Sequence, residues 1–108
     1  MTRTKLAPKK QRQQFISKVA ALLIDLGAEP GDFDFTLQTK AGPLKLHPVE
    51  NHCEGLGTVF GRFDDPQAAK QIVSCNPFSG KWNHHFFAGW DVESALHEIA
   101  YQINKVLL

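Results

Sequence analysis

Cysteine is scarce in this chain. Two residues in 108, Cys53 and Cys75, are too few to frame a disulfide-stapled fold, and both thiols are expected to be free. No run approaches the roughly 18 consecutive apolar residues that a membrane-spanning helix needs. The basic start of the chain is not followed by the apolar stretch of a signal peptide, so a cytoplasmic protein is expected. Repeats, low-complexity tracts and sustained heptads are also missing. So are phosphate-binding loops. The glycines at 55, 57 and 61 have the wrong spacing for a dinucleotide fingerprint, and Gly80-Lys81-Trp82 lacks both the upstream glycine and the Ser/Thr of a P-loop. Metal-ligand spacing is absent too. His47, His52, Cys53, Cys75, His84 and His85 form no Cys-x-x-Cys or His-x-x-x-His pair, so no metal and no cofactor is expected.

What remains is ordinary globular composition, 43% hydrophobic and 21% charged, in a length that suits one domain. Residues 1–8 read as a disordered basic lead-in and 9–108 as a single domain. The net charge of +1 conceals an asymmetry. The first eighteen residues hold six bases and no acid, including Lys9, Lys10 and Arg12; the rest hold six bases and all eleven acids. A basic arm on an acidic body suggests an anionic partner, or else a solubilising terminus.

Phe15, Val19, Leu22, Leu23 and Leu26 share one helical stripe that ends at Gly27, ahead of Pro30. Lys9, Lys10 and Arg12 in its first turns oppose the helix dipole, which hints at a role other than stability. Phe33, Phe35 and Leu37 alternate with polar residues, as do Leu44 and Leu46. The Gly42-Pro43 turn between them predicts a hairpin. Residues 56–63 read as a third strand, with Gly57 and Gly61 marking a bulge or a close contact. Asp65-Pro66 opens a short helix to about Ser74, and Asp91 caps a last helix with Val92, Leu96, Ile99 and Ile103 inward. A fourth strand is possible at 85–87. The order α-β-β-β-α-(β)-α predicts an α+β two-layer sandwich, an antiparallel sheet of three to four strands covered by helices.

Residues 76–90 stand apart. They contain both tryptophans, three of eight phenylalanines and two of five histidines. Such a segment either packs as a lid on the core or presents an aromatic surface to a partner. Phe78, Lys81, Trp82, Asn83, His84 and His85 are the candidate binding residues, with Trp82 as a stacking plate among hydrogen-bond donors. The run Asn76-Pro77-Phe78-Ser79-Gly80-Lys81-Trp82-Asn83-His84-His85-Phe86 resembles a family of small bacterial proteins encoded near plasmid, phage or integrated-element genes. The resemblance implies a genetic context, and by analogy a regulator or antagonist of a host system. It implies no catalytic residue.

The favoured reading is a small non-enzymatic binding protein that holds nucleic acid through its basic segment and aromatic loop. The alternative is a protein-binding regulator or inhibitor that uses the same loop as an anchor. A metal-independent hydrolase, using His84 with His47 or His52 and with Lys81 as a clamp, is the weakest of the three.

Overall fold

The computed structural model describes residues 8–51 and 54–108. Most of the expected lead-in, together with His52 and Cys53, lies outside the described residues.

Helix α1 runs from Lys9 to Asp25. It ends in a Schellman motif: Gly27 takes φ 102°, its N–H donates to Ile24, and Ala28 N–H donates to the Leu23 carbonyl at 2.9 Å. The buried stripe is Phe15, Val19 and Leu23, while Leu22 and Leu26 are only partly covered.

Strands β1 (Glu29–Pro30), β2 (Phe35–Thr39), β3 (Gly42–Glu50), β4 (Gly57–Phe63) and β5 (His84–Phe86) form one antiparallel sheet in sequence order. Helix α2 (Pro66–Lys70) interrupts the meander before β5, and α3 (Val92–Asn104) follows it. The fold is α+β, as the periodicities predict, with a fifth strand at the β1 edge.

Two sequence expectations need correcting. Phe33 is not a strand residue; it lies ahead of β2 and is 83% exposed. The short helix stops at Lys70 rather than Ser74, and hydrogen-bonded turns carry the chain through Ile72 and Val73.

The β2–β3 hairpin closes over Lys40 and Ala41, with Gly42 at φ 90°. Thr39 Oγ1 accepts from Ala41 N–H and donates to the Gly42 carbonyl. The C-terminal segment docks on this turn, because Lys40 N–H donates to the Val106 carbonyl and Leu107 bridges Thr39.

Strand alternation divides the sheet into two faces. Leu37, Leu44, Leu46, Val59, Phe63 and Phe86 turn toward α1 and α3, where they form the core with Phe15, Ile99 and Ile103. Gly57 is required there, since a Cβ on it would strike the Phe15 ring. The glycine that the sequence marks as a bulge or close contact is therefore a packing glycine. The opposite face carries Lys45, His47, Thr58, Phe60, Arg62 and His85, and no helix packs on it among the described residues.

Candidate functional site

The aromatic segment 76–90 is neither wholly lid nor wholly exposed loop. Asn76 starts it with a side-chain turn, its Oδ1 accepting from Phe78 N–H at 2.9 Å and Ser79 N–H at 3.2 Å. Gly80, at φ 71°, lets the chain turn back tightly against the Phe63 carbonyl. This turn holds Phe78 out in solvent, 95% exposed.

From Lys81 onward the chain runs alongside β4. Lys81 bridges Arg62, Trp82 N–H donates to the Gly61 carbonyl at 2.7 Å, and the register continues into His84 opposite Val59. Alternation then sorts the candidates. Lys81, Asn83 and His85 fall on the open face, while Trp82, His84 and Phe86 fall on the helix-covered face.

Trp82 is therefore not a stacking plate. It is 4% exposed, packs its ring against Phe63 at 5.8 Å and backs onto Gly61, where a Cβ would meet its carbonyl. His84 sits edge-on to Trp82 at 4.6 Å, and its Nε2 is buried with no hydrogen-bond partner among the described residues. Burial holds the His84 pKa below its ordinary value, partly opposed by the Glu98 carboxylate. His84 and His47 are on opposite faces of the sheet, so that histidine pair of the hydrolase reading is not assembled; the His52 alternative lies outside the described residues. A cleft of about 760 Å³ opens beside His84, between the 72–76 segment and Gln102 and Lys105 at the end of α3.

Lys9, Lys10 and Arg12 belong to the helical layer, on the other side of the sheet from Lys81 and His85. Lys9, Lys10 and Arg12 therefore do not share one surface with the open face.

The open face holds residues that the sequence reading did not single out. Lys45 pairs directly with Arg62, and Arg62 forms an isolated bridge with Lys81, so three cations lie side by side on β3, β4 and the segment that leads into β5. None of the three makes an ion pair; the pair found among the described residues is Lys18–Glu93 at 3.3 Å. Two residues along the strand from this row, and next to it on the same face, lies Phe60, 42% exposed and opposite His47. Beyond it His85 stacks on Phe87 at 5.5 Å and meets the edge of Phe60 at 6.3 Å.

Three depressions run together along this face. One of about 360 Å³ lies between Phe78, Asp64 and the Lys45–Arg62 pair. The next, about 410 Å³, is bordered by Asp34, the three cations, His47, Phe60 and Asn83. The third is a trough of about 590 Å³ whose lining includes Phe60, Phe87, His85 and Thr58, with Asn51 and the carboxylates of Glu50 and Glu54. Shared walls, first Lys45 and Arg62 and then Phe60, make them one track. From Arg62 to Thr58 it covers about 13 Å, at roughly 3.3 Å per strand residue. The sequence did carry a signal for it. Phe60 is a large apolar residue at a polar phase of its strand, between Val59 and Gly61.

Among the described residues, no group of three or more His, Cys, Asp or Glu is placed to hold a metal. Cys75 is a half-buried free thiol, its Sγ 3.9 Å from the Pro66 carbonyl. No helix among the described residues is long and apolar enough to cross a membrane. The chain matches no family model, no curated protein and no solved structure.

Proposed function

We propose that the open face of the sheet binds single-stranded nucleic acid, with phosphates on the Lys45–Arg62–Lys81 row and bases along Phe60 and Phe87. The cation row carries this reading. Like charges directly opposite one another in a sheet destabilise it, and among the described residues none of the three is in ion-pair contact with a carboxylate, Asp34 and Asp64 standing only at the borders of the same depressions. Beyond residue 18 the chain is acidic, yet three of its six bases there stand in this one row. An anionic ligand supplies the missing counter-charge.

The flanking surface selects among anions. Exposed aromatic faces next to a cationic track suit the alternating phosphate and base of an unpaired strand. Lys9, Lys10 and Arg12 add long-range attraction from the helical layer. The mobile-element context implied by the 76–86 segment is compatible with a nucleic-acid or a protein partner and does not choose between them.

The test is a titration of labelled oligothymidylate by fluorescence anisotropy at about 50 mM and 200 mM salt. The reading expects binding that weakens steeply with salt. Replacing Lys45, Arg62 and Lys81 together by Gln should flatten the log–log salt slope by about 2, at roughly 0.7 per single-strand phosphate contact. Phe60→Ala should weaken binding by about 1–3 kcal/mol and leave the slope alone. No binding of single-stranded DNA or RNA at low salt would sink the reading. In that case Phe78, the most exposed aromatic, becomes the anchor to test in a protein-partner pull-down.

A further inference from the structure

The trough at the His85 end of the track has a one-sided hydrogen-bonding character. The Asn51 side-chain amide directs its two N–H groups to the carbonyls of Glu54 at 2.7 Å and Phe86 at 3.5 Å. Its Oδ1 therefore accepts, and takes the Thr58 hydroxyl proton at 2.7 Å. With that proton committed, Thr58 Oγ1 accepts from His85 Nδ1, 3.0 Å away. The relay places a hydrogen on His85 Nδ1, and in that tautomer Nε2 is an acceptor. Val49, Phe60 and Phe87 offer no hydrogen bonds, and the Glu50 and Glu54 carboxylates only accept. Among the described residues, every side-chain donor of the trough is thus engaged, and what these side chains offer a ligand is acceptors between aromatic walls.

We infer that this trough takes a guanine base of the bound strand, an inference that rests on the single-strand reading above. Of the four bases, guanine alone presents two adjacent donors, N1–H and the N2 amino group, on its pairing edge. Adenine and cytosine place a ring acceptor beside their amino group. Thymine and uracil flank one N–H with two carbonyls. Against an imidazole Nε2 and a carboxylate, those acceptors meet acceptors, and a mismatch of that kind discriminates against these bases. Phe60 and Phe87 supply the stacking surface. The Glu54 charge repels phosphate, which keeps the backbone on the cation row and turns the base toward the trough.

The experiment uses the full chain and three labelled strands of about eight nucleotides. They are oligothymidylate, the same strand with one central guanine, and the same strand with inosine there, which lacks the N2 amino group. The guanine strand should bind about tenfold or more tighter than oligothymidylate, in line with one well-made bidentate base contact, and inosine should forfeit most of that gain. Glu54→Ala, at an exposed position whose backbone carbonyl is retained, should erase the guanine advantage, bringing the ratio of guanine to thymidylate affinity in that variant to about one. His85→Phe keeps the ring and removes the acceptor, and should reduce the advantage as well. Equal binding of the thymidylate and guanine strands overturns this inference and leaves the single-strand reading intact. A guanine preference that survives both substitutions also overturns it. Binding of none of the strands overturns both.

Discussion

Lys81 and Trp82 are neighbours in the chain and belong to opposite worlds of the fold: one is exposed on the cation row, the other fills the core against Phe63. Trp82→Ala should therefore cost about 3–5 kcal/mol in a denaturant melt, while the protein that remains folded binds oligonucleotide as before. Leu23→Ala, at a fully buried site, should cost about 2–5 kcal/mol, and Leu22→Ala clearly less, because that side chain is only partly covered.

His84 gives a pH signature. Its folded pKa lies below the ordinary 6.5, so as pH falls through 6.5 the unfolded chain takes up a proton that the native state resists. The stability present above that pH is lost progressively down to the folded pKa and then levels off. Tm measured from pH 7.5 to 5.5 should fall, and His84→Asn should reduce the fall.

The elements were largely legible, because local chemistry decides them. Asp65 before Pro66 caps α2 through Ala68 N–H, and Asp91 caps α3 through Ser94 N–H at 2.7 Å. The Asp91 carboxyl is held below its ordinary pKa by its hydrogen bonds to the Ser94 backbone and side chain. Its contribution is thus present at neutral pH and lost as pH falls through the folded value. Asp91→Ala should lower Tm at pH 7 and bring little further loss at low pH.

Segment 81–86 was legible only in part. The bulk of Trp82 and the donors around it suggest a binding loop, but pairing with β4 imposes a two-residue alternation that sends Trp82 and His84 inward. The cation row could not be read from the chain at all, because Lys45, Arg62 and Lys81 lie far apart in sequence and become neighbours through strand register. Phe33 was misleading for a related reason. Its alternation with Phe35 is genuine, but no partner strand reaches it in the described ladder.

At the scale of the whole molecule, one face of the sheet is committed to the core and the other is left for charge. Arg62 is the middle cation, flanked by one on each side. Arg62→Thr should raise Tm by relieving the repulsion and supplying a good strand former, while weakening oligonucleotide binding; opposite signs in the two measurements are the expected trade between stability and function. The row has a shape as well as a charge. Neighbouring strands are rotated by about 20–25° relative to one another, so the backbones that carry the three cations, β3, β4 and the segment bridged to β4, fan through roughly 45°. A stiff double helix, with a persistence length of about 150 base pairs, can lie along one blade of that fan and leaves the others unmet. A flexible strand can follow all three. Curvature alone therefore distinguishes the two polymers, and a duplex should show a shallower salt dependence than a single strand of the same sequence.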